Sequence, residues 1–238
     1  MIIEVIGYKG VVGNATYQWL RTMHPEHDVI GRDIGDCLPK KADVSFVCVP
    51  EAMAEVVCTE AAFYTGFLVI RSTVYPGTCR YIQQMVGKHV CHNPEFLREA
   101  TAVPDAFNPN YVLIGSCCSE HGEIVGRLYE PARVQTVIVS SITSELVKIV
   151  TNNYLACLVS FWNEIEAICQ ASGVPGHRVA AIATLDPRVV SYGARYHHKF
   201  GGKCLPKELE QMLLYAHEKG VETPMLNAIK EVNVCQES

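Results

Sequence analysis

Cys204 follows two glycines in the segment FGGKCLPKE, with Lys203 directly before it and Lys207 three residues after. The residues beyond it read as a helix that begins near Leu205 or Pro206. A thiol at a helix N-terminus has its thiolate favoured by the dipole, and the two lysines add positive charge. Such a cysteine is a candidate nucleophile, the alternative being a buried structural cysteine. Lys148 and Asn152 are four apart in SELVKIVTNNYLA and share one helix face, with Glu145 on nearly the same face. Apolar neighbours, Leu146, Val147, Ile149 and Val150, surround the lysine. A lysine held there can stabilise a developing oxyanion, with Asn152 as a second donor. Solvation is the more usual fate of a helix lysine. Glu95 and Glu99 are also four apart, in HNPEFLREATA, a segment that reads as partly loop. Their spacing alone selects no role.

A second group of residues reads as a phosphate cradle. Gly7, Gly10 and Gly13 lie between a first apolar run and a helix expected from about Asn14. Glycines there permit a tight turn and a close approach of backbone to a pyrophosphate, which the helix N-terminus then favours. The spacing is GxxGxxG, one residue longer than GxGxxG, and removing Lys9 would restore the shorter form. Asp33 ends the second apolar run, 20 residues after Gly13. An acid there hydrogen-bonds ribose hydroxyls and repels a 2′-phosphate, so NAD is favoured over NADP. Arg32 beside it weakens that preference slightly, and a turn residue is the plainer reading of Asp33.

These residues need elements to hold them. Seven apolar runs, IIEVIG, HDVIGRD, ADVSFVCVP, GFLVIRST, KHVCHN, YVLIG and QTVIVSS, alternate with helix-like stretches. They are near-continuous rather than alternating, as in parallel strands covered on both faces. The fold class is therefore α/β: a Rossmann-type, doubly wound parallel sheet over residues 1–140. A smaller all-helical domain over residues 141–238 follows. It opens on a long connecting helix from about Thr143 to Ser172, stopped by Gly173 and Pro175, with a loop later from Ser191 to Lys203.

Four segments, RSTVYPGT, HNPEFLREATA, SELVKIVTNNYLA and FGGKCLPKE, occur in an order and spacing that closely resembles the UDP-glucose/GDP-mannose dehydrogenase family, as does Asn163-Glu164-Ile165. The resemblance implies that a nucleotide-sugar alcohol is oxidised to a carboxylate with NAD, through a thiohemiacetal and thioester on Cys204. It implies catalytic roles for Cys204, Lys148, Asn152, Glu95, Thr73 and Glu208. It implies cofactor contacts from Gly7, Gly10, Val11, Val12, Gly13, Asp33, Val49, Pro50, Ser72, Thr73, Glu99 and Lys207. Substrate contacts fall to Phe96, Leu97, Lys148, Asn152, Phe200 and Gly201. A UDP-sugar is the favoured substrate, and a homodimer through the helical domain is expected.

The chain also departs from the family pattern. Glu208 replaces an aspartate, Ala100 a glycine and Tyr111 an arginine, and the family's third, nucleotide-covering domain is not represented in these 238 residues. Two other readings therefore stand beside the dehydrogenase: an inactive protein that binds NAD or a sugar nucleotide, and a two-domain hydroxy-acid dehydrogenase. A single hydride transfer needs no thiol, so the GGKC segment argues against the last.

Composition narrows the rest. The formal net charge of -5 argues against a nucleic-acid partner. No run of about 18 apolar residues suggests a membrane span, and the first residues do not read as a signal peptide. Eleven cysteines without a CxxC pair suggest a reducing, cytoplasmic setting. Most of them read as small buried hydrophobes, no metal site is expected, and Cys117, Cys118, His197 and His198 receive no role.

Overall fold

All seven apolar runs form strands: β1 Ile2–Ile6, β2 Asp28–Arg32, β3 Ala42–Val47, β4 Thr65–Ile70, β5 Val90–His92, β6 Val112–Ser116 and β7 Thr136–Ser140. The computed structural model describes residues 1–39, 41–194, 199–202 and 204–235. Two compact units divide the chain, Met1–Lys148 and Ile149–Ser238.

In the first unit the strands form one sheet in the order β2-β1-β3-β4-β5-β6-β7. Helices α1 (Val11–Met23), α2 (Glu51–Ala61), α3 (Thr78–Val86), α4 (Ala102–Phe107) and α5 (Ser119–Tyr129) connect them. Successive residues of β4 explain why both faces must be covered. Phe67 and Val69 pack on one side with Trp19 and Leu20 of α1 and Val125 and Leu128 of α5. Leu68 and Ile70 pack on the other with Ala54 and Cys58 of α2 and Ile82 of α3. Each such buried aliphatic side chain contributes roughly 1.5–3 kcal/mol. The strand order reverses between β1 and β3, and ligands of doubly wound sheets bind at the strand ends beside such a reversal.

Three details differ from the sequence expectation. The β5–β6 pairing is antiparallel, through His92 and Gly115, while all other pairings are parallel. The connecting α4 has six residues, about 9 Å. That is too short to return the chain to the far edge, so β6 enters the sheet from the edge at which β5 leaves it. Strand β7 alternates exposed and half-buried residues, because it is an edge strand and not a covered one. Helix α1 begins at Val11, three residues before Asn14, so Gly13 lies inside it.

The second unit is helical. Helix α6 (Ser141–Ala171) carries the chain from one unit into the other, the division falling between Lys148 and Ile149. Helices α7 (Gly176–Ala183), α8 (Leu205–Glu218) and α9 (Pro224–Cys235) follow. Ala156 and Val159 of α6 pack with Phe200, Leu209 and Ile229. The Asn233 side chain brackets Phe200, accepting from its N–H at 2.8 Å and donating to its carbonyl at 3.0 Å. The irregular segment before α8 begins at Thr184, earlier than Ser191, and His197 and His198 lie outside the described residues.

The cysteines are more varied than composition suggests. Cys58, Cys79, Cys91 and Cys169 are buried, whereas Cys37, Cys117 and Cys204 are exposed. Burial pushes the thiols of Cys58 and Cys91 up to about 12, which leaves them inert.

Candidate active site

The glycine loop closes on itself more tightly than any side chain would allow. Gly7 has φ +83°, and a Cβ there would sit 2.5 Å from the Cys48 carbonyl oxygen at the end of β3. A Cβ on Gly13 would sit 2.0 Å from the Gly7 oxygen, so α1 can approach the loop only at a glycine. Gly10 is the N-cap residue, and no side chain caps the helix, leaving the amides of Val11 and Val12 without a capping side-chain acceptor. The result is a cradle with uncapped amides at a helix N-terminus, which fits a pyrophosphate.

Asp33 faces this loop. One carboxylate oxygen accepts the backbone N–H of Lys9 at 3.2 Å and the other that of Ile34 at 2.8 Å. The additional loop residue thus has a partner: its amide tethers the loop to Asp33. Arg32 does not act on that surface. Its side chain is buried and donates to Glu4 at 2.8 Å, Glu60 at 3.0 Å and the Tyr64 hydroxyl at 2.9 Å. Ser45 completes the network by donating to Glu4 at 2.6 Å. The expectation that Arg32 weakens discrimination against a 2′-phosphate is corrected on this ground.

Val49 and Pro50 follow β3, Pro50 capping α2. Ser72 and Thr73 follow β4 on the same strand edge, and the Ser72 hydroxyl donates to the Val49 carbonyl. His92, at the end of β5, is fully buried between Ser144 Oγ, 2.9 Å away, and the Ser72 carbonyl, 3.3 Å away. Burial pushes its pKa down to about 3, so the ring is neutral and serves as a clamp. Glu145 is also buried and accepts the amides of Gly77 at 2.6 Å and Cys79 at 2.8 Å, capping α3. Burial raises its pKa and these two amides oppose the rise.

Lys148 and Glu95 come together. Lys148 is 4% exposed, and its Nζ donates to Glu95 Oε1 at 3.2 Å while lying 5.3 Å from the Phe96 ring centre. Glu95 Oε2 accepts the Leu97 amide at 2.6 Å. The lysine is therefore buried and paired rather than solvated. Glu95, Phe96, Leu97, Asn93, Arg71 and Tyr111 line a cavity of about 460 Å³. Glu99 is not part of this arrangement, since it is exposed in a short 3-10 turn rather than one helical turn along from Glu95.

In the second unit Cys204 is the N-cap residue of α8 and is exposed. Its carbonyl accepts the Glu208 amide at 2.9 Å. Lys207 is exposed in the first turn, and Lys203 lies outside the described residues. Glu208 is 1% exposed, and its Oε2 accepts from Asn152 Nδ2 at 2.7 Å. The longer side chain at this position thus reaches an amide on α6. Asn153 also reaches this turn, donating to the Glu208 carbonyl at 3.1 Å. Gly201 is exposed, whereas Phe200 is buried with its ring in the helical core and its backbone held by Asn233. Sequence reasoning missed the Arg32 network, the Glu145 cap and the His92 clamp, whose partners lie far apart along the chain.

Comparison with known proteins accords with this geometry. Residues 36–133 match the UDP-glucose/GDP-mannose dehydrogenase family, NAD binding domain, and residues 142–234 match the central domain of the same family. The chain is 32% identical over 221 residues to the GDP-mannose 6-dehydrogenase of Pseudomonas aeruginosa, covering 81% of this chain and 51% of that protein. It is 31% identical over 218 residues to the UDP-glucose 6-dehydrogenase TuaD of Bacillus subtilis (strain 168), covering 87% of this chain and 46% of that protein. It therefore spans about half the length of these curated relatives. The fold is also that of a UDP-glucose dehydrogenase from the archaeon Pyrobaculum islandicum, with a TM-score of 0.83 at 22% identity over 98% of this chain and 67% of that one. The chain belongs to the UDP-glucose/GDP-mannose dehydrogenase family.

Proposed function

We propose that this chain is an NAD-dependent oxidoreductase that converts the primary alcohol of a nucleotide sugar, with a UDP-sugar favoured, to a carboxylate. The reading is supported above all by the buried Lys148–Glu95 pair, a charged couple that a helix of this kind would not retain for packing. Converting the alcohol to a carboxylate removes two hydrides and consumes one water. NAD+, when bound, supplies the acceptor for each hydride.

The chain's own residues have distinct tasks. Gly7, Gly10 and Gly13 let the backbone approach the pyrophosphate, and Asp33 selects the ribose with a free 2′-hydroxyl. Lys148 stabilises the alkoxide of the substrate, with Asn152 as a second donor. The Cys204 thiolate adds to the aldehyde carbon, which makes that carbon a hydride donor again. The resulting thioester is hydrolysed by water, with Glu95 taking the proton and the thiolate leaving. In this reading Thr73 contacts the cofactor and the reacting water, and Glu208 orients the Asn152 amide. A homodimer formed through the helical unit and a cytoplasmic setting complete the proposal. Among the described residues no helix is long and apolar enough to cross a membrane.

The Asn152–Glu208 bond favours a second reading, an inactive binder, because it occupies one N–H that the oxyanion would use. Incubating the chain with NAD+ and a panel of UDP- and GDP-sugars separates the two. The expected outcome is NADH formation above a Cys204→Ala control. Cofactor binding without NADH from any sugar would move the assignment to the binder.

A further inference from the structure

We propose that His89, Cys118 and His121 form a binding site for a zinc-class divalent cation on the first unit. Each residue offers one donor atom, and these atoms all lie within 4.8 Å of one another. Cys118 Sγ is 3.0 Å from His121 Nδ1. The two imidazoles stack with centres 4.2 Å apart, and the Phe67 ring packs edge-on against His121 at 4.7 Å. Cys117 stands beside the three, its Sγ 3.2 Å from His89 Nδ1, and offers a donor for a fourth position.

The backbone prepares this arrangement. His89 directly precedes β5, Cys118 is the N-cap residue of α5, and His121 lies in the first turn of that helix. The Ser116 hydroxyl bonds both the amide and the carbonyl of Cys118 and holds the turn. A tetrahedral centre with metal–nitrogen and metal–sulfur bonds of about 2.0–2.3 Å places its donors roughly 3.3–3.7 Å apart. Closing from the present separations takes about an ångström, which the exposed His89 ring supplies by rotation. Two imidazoles and a thiolate suit zinc and exclude the hard cations magnesium and calcium.

The location says what the ion would do. The site lies at the N-terminal end of β5, the edge opposite the glycine loop, so it is separate from the proposed cofactor site. It also lies beside the single antiparallel pair, His92 with Gly115, that joins β5 to β6. His89 precedes that pair and Cys118 follows it on the antiparallel neighbour, so both fall on the same side. A bound ion would tie β5, β6 and α5 together where the ladder is thinnest.

The test uses the full chain, reduced and stripped of metal, titrated with Zn2+ or Co2+ and with Mg2+ as the contrast. Zn2+ should bind with one equivalent per chain and raise the melting temperature, and Mg2+ should do neither. Co2+ should give a thiolate charge-transfer band. Cys118→Ser, His121→Ala and the exposed His89→Gln should each weaken Zn2+ binding by at least about tenfold. Cys37→Ser and Cys204→Ser should leave it unchanged. No saturable binding by the wild type, full binding in the Cys118→Ser and His89→Gln variants, or loss of binding in Cys204→Ser would each overturn the site.

Discussion

Arg32 and Asp33 are neighbours with opposite destinations, and the proposed preference for NAD rests on that difference. The Arg32 guanidinium is committed to Glu4, Glu60 and Tyr64 inside the unit, while the Asp33 carboxylate stays at the loop. NAD+ should therefore raise the melting temperature more than NADP+ at equal concentration. Asp33→Ala should narrow the gap, and equal stabilisation of the wild type by both cofactors would remove Asp33 from its role. His92 supports a second prediction. Its folded pKa of about 3 lies below the ordinary value of 6.5. Between those values the unfolded chain binds the additional proton, so stability is full above about pH 6.5 and falls as the solution is acidified. The residue contributes at most about 1.4 kcal/mol per pH unit. Urea unfolding between pH 7 and pH 5 should show a shallower slope for His92→Gln than for the wild type, and parallel slopes would place the titration elsewhere.

At the scale of elements, legibility depended on how local the signal was. Seven strands and the long helix α6 could be read because each is one continuous apolar pattern. The antiparallel entry of β6 could not, since it depends on α4 being too short to cross the sheet. Among the site residues, Lys148 and Cys204 were legible through their immediate neighbours. The capping role of Glu145 was not, because the amides it accepts lie 68 and 66 residues away. The cluster of His89 with Cys118 and His121 has the same cause: two segments meet only when the sheet forms. Helix α6 also carries an exposed apolar stripe, with Val150, Tyr154, Phe161 and Ile168 each at least half exposed and Cys157 half-buried between them. Their spacing of three, four and seven residues places them along one face, the pattern of a helix that packs against another. Sedimentation should show a dimer for the wild type and a monomer for Phe161→Glu with Ile168→Glu. A wild-type monomer, or a dimer that survives both substitutions, would assign the stripe to a different partner.

At the scale of the whole molecule, the proposed function draws on residues of both units. The first has the dinucleotide cradle and the Lys148–Glu95 pair, and the second has Cys204 with the Asn152–Glu208 pair. Under the proposed function such a set would serve two oxidations in sequence, of which only the second needs a thiol. The most direct measurement is the ratio of NADH formed to nucleotide sugar consumed, with the sugar product identified by mass. The account predicts two NADH and one carboxylate per sugar for the wild type. It predicts that Cys204→Ser keeps cofactor binding but loses the second oxidation more than the first, because an alkoxide is far harder to generate near neutral pH than a thiolate. A wild-type ratio of one with an aldehyde product, or a Cys204→Ser variant that delivers carboxylate at the wild-type rate, would contradict it.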